Sequence, residues 1–172
     1  MPLIGVSIAV PDPCGPELQR YRVSLGDDEA HLIPTHITLL PPTDLADRHL
    51  DDVVAHLDAA AGSLERFRIH LRGTGTFRPV SPVVFVTLVE GISQCEQLAH
   101  AVRRGPLAVD LAYPYHPHVT IAHDLADPQL DRAFDELADF DCEFGVDDFH
   151  LYVHDHVLGW TPTRYFALAP GT

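Results

Sequence analysis

Apolar and polar positions along this chain mark out short strands and amphipathic helices in regular succession. Leu3 to Val10 is a nearly continuous apolar run, LIGVSIAV, the pattern of a strand buried on both faces. Pro11, Pro13, Gly15 and Pro16 punctuate the next stretch, and a short helix is predicted from about Glu17 to Leu25. A strand is predicted over Thr35–Leu40, stopped at Pro41-Pro42 because proline has no N–H to give to a ladder. Thr43 or Asp44 then suits the cap of a helix in which Leu50, Val53, Val54, Leu57 and Ala61 recur at helical spacing, and Gly62 closes it. Phe67–Leu71 alternates like a half-buried strand, and the glycine-rich Gly73-Thr74-Gly75-Thr76 leads into Phe77-Arg78-Pro79.

The second half retraces the first. Val83–Val89 is another buried apolar strand. Ser93 and Glu96 have capping-box spacing, and Ile92, Cys95, Leu98, Ala99 and Val102 give the helix there an apolar face that ends before Gly105-Pro106. A strand is predicted over His118–Ala122. A helix starting at Asp127-Pro128 turns Leu130, Phe134 and Leu137 inward. A strand ending near Val153 and a last one over Tyr165–Leu168 complete the chain. The order strand, helix, strand, helix, strand thus occurs twice at a nearly constant offset, which argues for an internal duplication with two lobes around a pseudo-twofold axis.

Two short segments occupy matching places in the halves: His36-Ile37-Thr38-Leu39 and His118-Val119-Thr120-Ile121. On a strand the His and Thr share one face while the two apolar residues enter the core. Facing each other across a cleft, the segments would offer two imidazoles and two hydroxyl donors to one small ligand. Imidazoles exchange protons near neutral pH, and fixed hydroxyl donors suit the oxygens of a phosphate. Acid–base chemistry on a phosphate is the function class to which this set points.

Composition narrows the partner. The chain has 172 residues, a formal net charge of −14 and 46% hydrophobic residues, in keeping with a soluble globular domain. So acidic a chain repels a long polyphosphate backbone, which leaves a small phosphorylated molecule or a single RNA end as partner. No apolar stretch approaches a membrane span, and Met1-Pro2-Leu3-Ile4 lacks a basic leader region. Cys14, Cys95 and Cys142 form an odd set without CxxC spacing, read as reduced and structural, as in a cytoplasm. A monomer is expected.

The paired segments, with Pro34-Thr35 before the first and His116-Pro117 before the second, resemble the 2H phosphoesterase superfamily, which includes 2′-5′ RNA ligase-like proteins and RNA 2′,3′-cyclic phosphodiesterases. Gly75-Thr76-Phe77-Arg78 resembles that family's link between lobes. The chain departs from many RNA ligase-like relatives at His123, where they carry arginine, and at Pro41, where they carry phenylalanine. The resemblance implies an α+β fold in one domain, 1–172, with pseudosymmetric lobes of about 1–78 and 79–172. Antiparallel sheets would flank a central cleft with helices outside. It implies hydrolysis of a 2′,3′-cyclic phosphate by His36 and His118, needing no cofactor and no metal. The alternatives are a non-catalytic nucleotide or RNA-end binding protein and an RNA 2′-5′ ligase.

Thr38 and Thr120 are the candidate donors to the phosphate. Arg78, His116 and Tyr115 are candidate substrate contacts, with a solvated side chain or a salt bridge as the alternative for Arg78 and an exposed loop as the alternative for His116. His123 is expected to be structural. Phe77, Tyr113 and Trp160 are candidates for stacking on a base, or else core aromatics. The HxH pairs His116/His118 and His154/His156 have the spacing of zinc ligands but lack further ligands in sequence, so no metal site is expected.

Overall fold

The computed structural model describes residues 3–28, 30–45 and 49–171. In chain order its elements are β1 (Leu3–Ala9), α1 (Cys14–Ser24), β2 (His36–Asp44), α2 (Leu50–Gly62), β3 (Phe67–Thr76), β4 (Val83–Glu90), α3 (Ile92–Val102), β5 (Val119–His123), α4 (Asp127–Glu136), β6 (Asp141–Val146), β7 (Asp148–Asp155) and β8 (Gly159–Ala167). Short 3₁₀ turns at Ala30–Leu32 and Gly105–Leu107 precede β2 and β5. The duplication therefore extends to detail: β1-α1-turn-β2-α2-β3 is followed by β4-α3-turn-β5-α4-β6.

The strands form two antiparallel sheets, ordered β2-β1-β7-β8 and β5-β4-β3-β6. β1 and β4 are apolar throughout much of their length because each is an inner strand, bonded on both edges. The sheets do not follow a division of the chain at residue 78. β3, from the first half, is inserted between β4 and β6, while β7 and β8, from the second half, extend the sheet of β1 and β2. The lobes are thus built by exchange of strands between the two repeats on either side of residue 78. Helices are exchanged too: α1 packs on β5 and α3 on β2, so each motif strand is backed by a helix from the other half. One continuous apolar core results, with Ile37, Leu39, Val119 and Ile121 all fully buried in it.

Several local expectations are corrected. β2 runs through Pro41-Pro42 to Asp44, because it is an edge strand whose outer side needs no N–H donors. Thr43 consequently lies in the strand, bonding the Pro41 carbonyl at 2.8 Å, and α2 begins after His49 instead of at a cap on Thr43 or Asp44. β3 continues through the glycine-rich segment to Thr76, with a bulge between Leu71 and Thr74. β6 is an addition to the expected elements, although Cys142, Phe144 and Val146 alternate inward. The last strand starts at Gly159, six residues before the expected Tyr165. α3 starts after Gly91, whose φ of 93° suits glycine, and Ser93 bonds Gln97 in place of closing a capping box with Glu96. On α4, Leu130 and Ala133 are buried, whereas Phe134 is exposed.

The cysteines are not all reduced. Cys14, at the start of α1, is joined by a disulfide to Cys142 in β6, with Cα atoms 6.5 Å apart, and only the buried Cys95 is a free thiol. The fold brings together two residues that sequence spacing keeps far apart. No helix among the described residues is long and apolar enough to cross a membrane.

Candidate active site

β2 and β5 are the outer strands at corresponding edges of the two sheets, and they approach each other. Strand alternation buries Ile37, Leu39, Val119 and Ile121, which leaves His36, Thr38, His118 and Thr120 half-exposed on the opposite faces. Neither threonine hydroxyl has a hydrogen-bond partner among the described residues.

Both imidazoles are held the same way. His36 Nδ1–H donates to the Pro34 carbonyl at 2.6 Å, and His118 Nδ1–H donates to the His116 carbonyl at 2.7 Å. A carbonyl only accepts, so each bond places the ring proton on Nδ1 and leaves Nε2 for other work. The two segments thus repeat a mechanical device as well as a residue pattern: each histidine is braced by the backbone two residues earlier.

Burial disfavours a charged ring at both positions. It lowers the pKa of His36, opposed by the bond to Pro34 and helped by the charge of Arg22. His118 is pushed down to about 4, first by burial, with the His116 bond opposing and the charges of His116 and His36 adding to the shift. The two motif histidines are therefore close enough for the charge of His36 to act on His118, and burial favours the neutral form of both rings. Arg22, with 5% of its side chain exposed, is itself paired to Asp27 at 3.1 Å.

His118 is enclosed by aromatic rings. Phe77 lies edge-on at 4.9 Å between centroids, Phe85 at 5.2 Å and His116 at 6.0 Å. His36 has different surroundings. A cavity of about 170 Å³ opens beside it, lined by Gly5, Ser7, Thr38, Tyr152 and Trp160 among others. Burial pushes the Tyr152 phenol up to about 12, so it stays protonated.

The other candidates are distributed unequally. His116 is exposed and sits at the site, 5.3 Å from Phe85 and 5.6 Å from Phe77. Tyr115 is half-buried, and its hydroxyl donates to the Thr38 carbonyl at 2.7 Å, tying the loop before β5 to β2. Burial raises its pKa, and the Arg103 guanidinium lies 5.4 Å from its ring centre. Its hydroxyl proton is thus engaged within the protein. Arg78 is likewise engaged, at 2.8 Å from Asp131 and 3.7 Å from Asp127 on α4. His123 is exposed beside Asp124, and Tyr113 is exposed away from these rings. His154 and His156 pack only as a pair next to Trp160. Among the described residues no three His, Cys, Asp or Glu side chains are grouped to hold a metal ion. Sequence reasoning missed Ser7, Phe85 and Tyr152. Superposing the two halves would have found the first two, since Ser7 pairs with Thr38 as Phe85 pairs with Thr120.

Residues 10–158 match the family model described as the 2′-5′ RNA ligase superfamily. The chain belongs to that superfamily. Its 2′-5′ RNA ligase superfamily relatives include a Bacillus cereus (strain G9842) protein named "putative phosphoesterase", 31% identical over 84% of this chain and 85% of the relative. A Bacillus cytotoxicus protein of the same name is 30% identical over 85% of this chain and 86% of its own. Among solved structures, Escherichia coli LigT complexed with 3′-AMP is similar with a TM-score of 0.61 at 21% identity, covering 98% of this chain and 99% of that one. Thermus thermophilus TT0787 is similar with a TM-score of 0.62 at 21% identity, covering 99% and 100%. These two likenesses establish the two-lobe α+β fold.

Proposed function

We propose that this phosphoesterase-family chain hydrolyses a 2′,3′-cyclic phosphate, borne by a nucleotide, an RNA end or a related small molecule, by two-histidine acid–base catalysis without a metal. The observation that carries this is the mirrored bracing of His36 and His118, each bonded through Nδ1, with no Nε2 partner among the described residues and with a threonine hydroxyl on its own face. One Nε2 takes a proton from water as the water oxygen bonds to phosphorus. The bond from phosphorus to one ribose oxygen breaks, and the other imidazole, protonated on Nε2, gives that oxygen its proton. The products are a phosphomonoester and a neighbouring hydroxyl. Nδ1–H keeps its carbonyl partner in both protonation states, so neither ring has to turn over during the cycle.

Burial favours neutral rings, which suits the base. The phosphodiester supplies a negative charge between the imidazoles, and that charge favours protonating one of them as the acid. Thr38 and Thr120 donate to the non-bridging oxygens, where negative charge grows in the transition state. His116 is a further contact beside His118. The same groups, with an RNA 5′-hydroxyl in place of water as the nucleophile, would form a bond from phosphorus to that hydroxyl oxygen and release one ribose hydroxyl, joining two RNA ends, which is the activity the superfamily is named for. Solved LigT complexes with 3′-AMP and ATP are in keeping with a nucleotide-sized ligand.

The test is hydrolysis of 2′,3′-cyclic mononucleotides in EDTA by wild type, His36→Ala and His118→Ala. Turnover by the wild type is expected, lowered about 10²- to 10⁴-fold in either variant. Retained turnover in either folded variant overturns the two-histidine mechanism. Ligand binding without turnover in the wild type would instead leave a binding protein.

A further inference from the structure

The two halves of the cleft are built on the same plan but filled differently. In the first sheet a row runs from Thr38 to Ser7 to His150 across β2, β1 and β7. In the second sheet the corresponding row runs from Thr120 to Phe85 to Gly75 across β5, β4 and β3. Directly paired residues of neighbouring strands share a face, so Ser7 and Phe85 are counterparts, each beside its motif threonine. Phe85 closes its side. Its ring lies over Gly75, where an added Cβ would sit 2.7 Å from Phe85 Cε2, and it packs with Phe77 at 4.5 Å between centroids. Ser7 closes nothing. Above it is the cavity of about 170 Å³ beside His36.

We propose that this asymmetry makes the His36 side a subsite for the planar heterocycle of a nucleotide whose phosphate lies between the two histidines, with Ser7 as the residue that keeps the subsite open. The proposal rests on the phosphodiesterase reading for the place of the phosphate. The walls are flat: Tyr152 is one, and the Trp160 indole is another, lying over Gly5, where even a Cβ would stand 3.5 Å from Trp160 Cζ3. Among the described residues no Lys, Arg, Asp or Glu lines the cavity, which suits an uncharged ring. The pocket is continuous with His36 and Thr38, which both line it, so one molecule can reach from ring to phosphate. On the His118 side Phe77 and Phe85 instead pack against the imidazole, at 4.9 and 5.2 Å between ring centroids.

Trp160 is the only tryptophan in the chain, which makes the subsite observable by itself. Titration of the intact protein with 3′-AMP is expected to change Trp160 fluorescence saturably, whereas inorganic phosphate is not. The same titration of Ser7→Phe is expected to need about tenfold more 3′-AMP or worse, the scale of one lost base–aromatic stack. In turnover, the ratio of kcat/KM for adenosine 2′,3′-cyclic phosphate to that for the base-free methyl riboside 2′,3′-cyclic phosphate is expected to fall about tenfold or more in both Ser7→Phe and Trp160→Leu. An unchanged ratio in either variant, with its circular dichroism native, overturns the subsite. So does a wild-type Trp160 signal that ignores 3′-AMP up to millimolar concentration. A saturable Trp160 signal with no turnover of either substrate supports the subsite and sinks the hydrolase reading, so the two failures are distinct.

Discussion

At the scale of single residues, the two histidines were legible because strand alternation alone forces His and Thr onto one face. Their bracing was not, since it depends on backbone carbonyls at Pro34 and His116 turning back toward the rings. Nor were the partners of the salt bridge offered as an alternative for Arg78, since Asp127 and Asp131 come from a helix about fifty residues further on. Burial of His118 has a consequence for stability. Its pKa is lowered from 6.5 to about 4, so between these values the unfolded chain binds a proton that the folded chain refuses. Its stabilising contribution is complete above about pH 6.5 and is lost as pH falls toward 4, at no more than about 1.4 kcal/mol per pH unit. Partial solvent exposure of the ring reduces that figure. His118→Gln is expected to flatten this segment. Urea unfolding of both proteins at pH 7 and pH 5 checks it, and equal losses in the two would show that His118 does not titrate as described.

Element by element, the inner strands and most helices were legible from apolar runs and helical spacing, as β1, β4 and α2 show. The errors arose where position in the sheet overrides a local rule. Pro41-Pro42 ends a strand only if the strand is bonded on both edges, and β2 is bonded on one. The order of strands was not written in any local segment, so this could not be judged beforehand. Tyr115 belongs to the same scale, because its hydroxyl connects the two motif strands' elements through the Thr38 carbonyl. Tyr115→Phe is expected to cost about 1 kcal/mol of stability through the lost hydrogen bond. If the tie also sets the spacing of β2 and β5, kcat falls several-fold in the folded variant, on the logic that small misplacements of catalytic groups are costly. Cyclic phosphate kinetics beside denaturant titration separate the cases: lost stability with unchanged kcat would make Tyr115 a brace for the fold alone.

For the whole molecule, the duplication was legible but the exchange between its halves was not. A repeated order of elements says nothing of which sheet each strand joins. β3 separates β4 from β6, so the half 79–172 lacks the strand that would hold β6. The half 1–78 lacks β7 and so leaves the inner edge of β1 unpaired. Each motif strand also loses a helix contributed by the other half, because α1 packs on β5 and α3 on β2. Chains comprising 1–78 and 79–172 are therefore expected to lack native far-ultraviolet circular dichroism when separate and to regain it when mixed. The Cys14–Cys142 bond would then join them as one species on a non-reducing gel. Cleavage at residue 78 falls between β3 and β4, in a turn outside both strands, so the mixed pair keeps every ladder of the intact chain. A half that folds alone, with a sharp urea transition of its own, would show that its core closes without the borrowed strands, and the exchange would then be a detail of packing instead of the condition for folding.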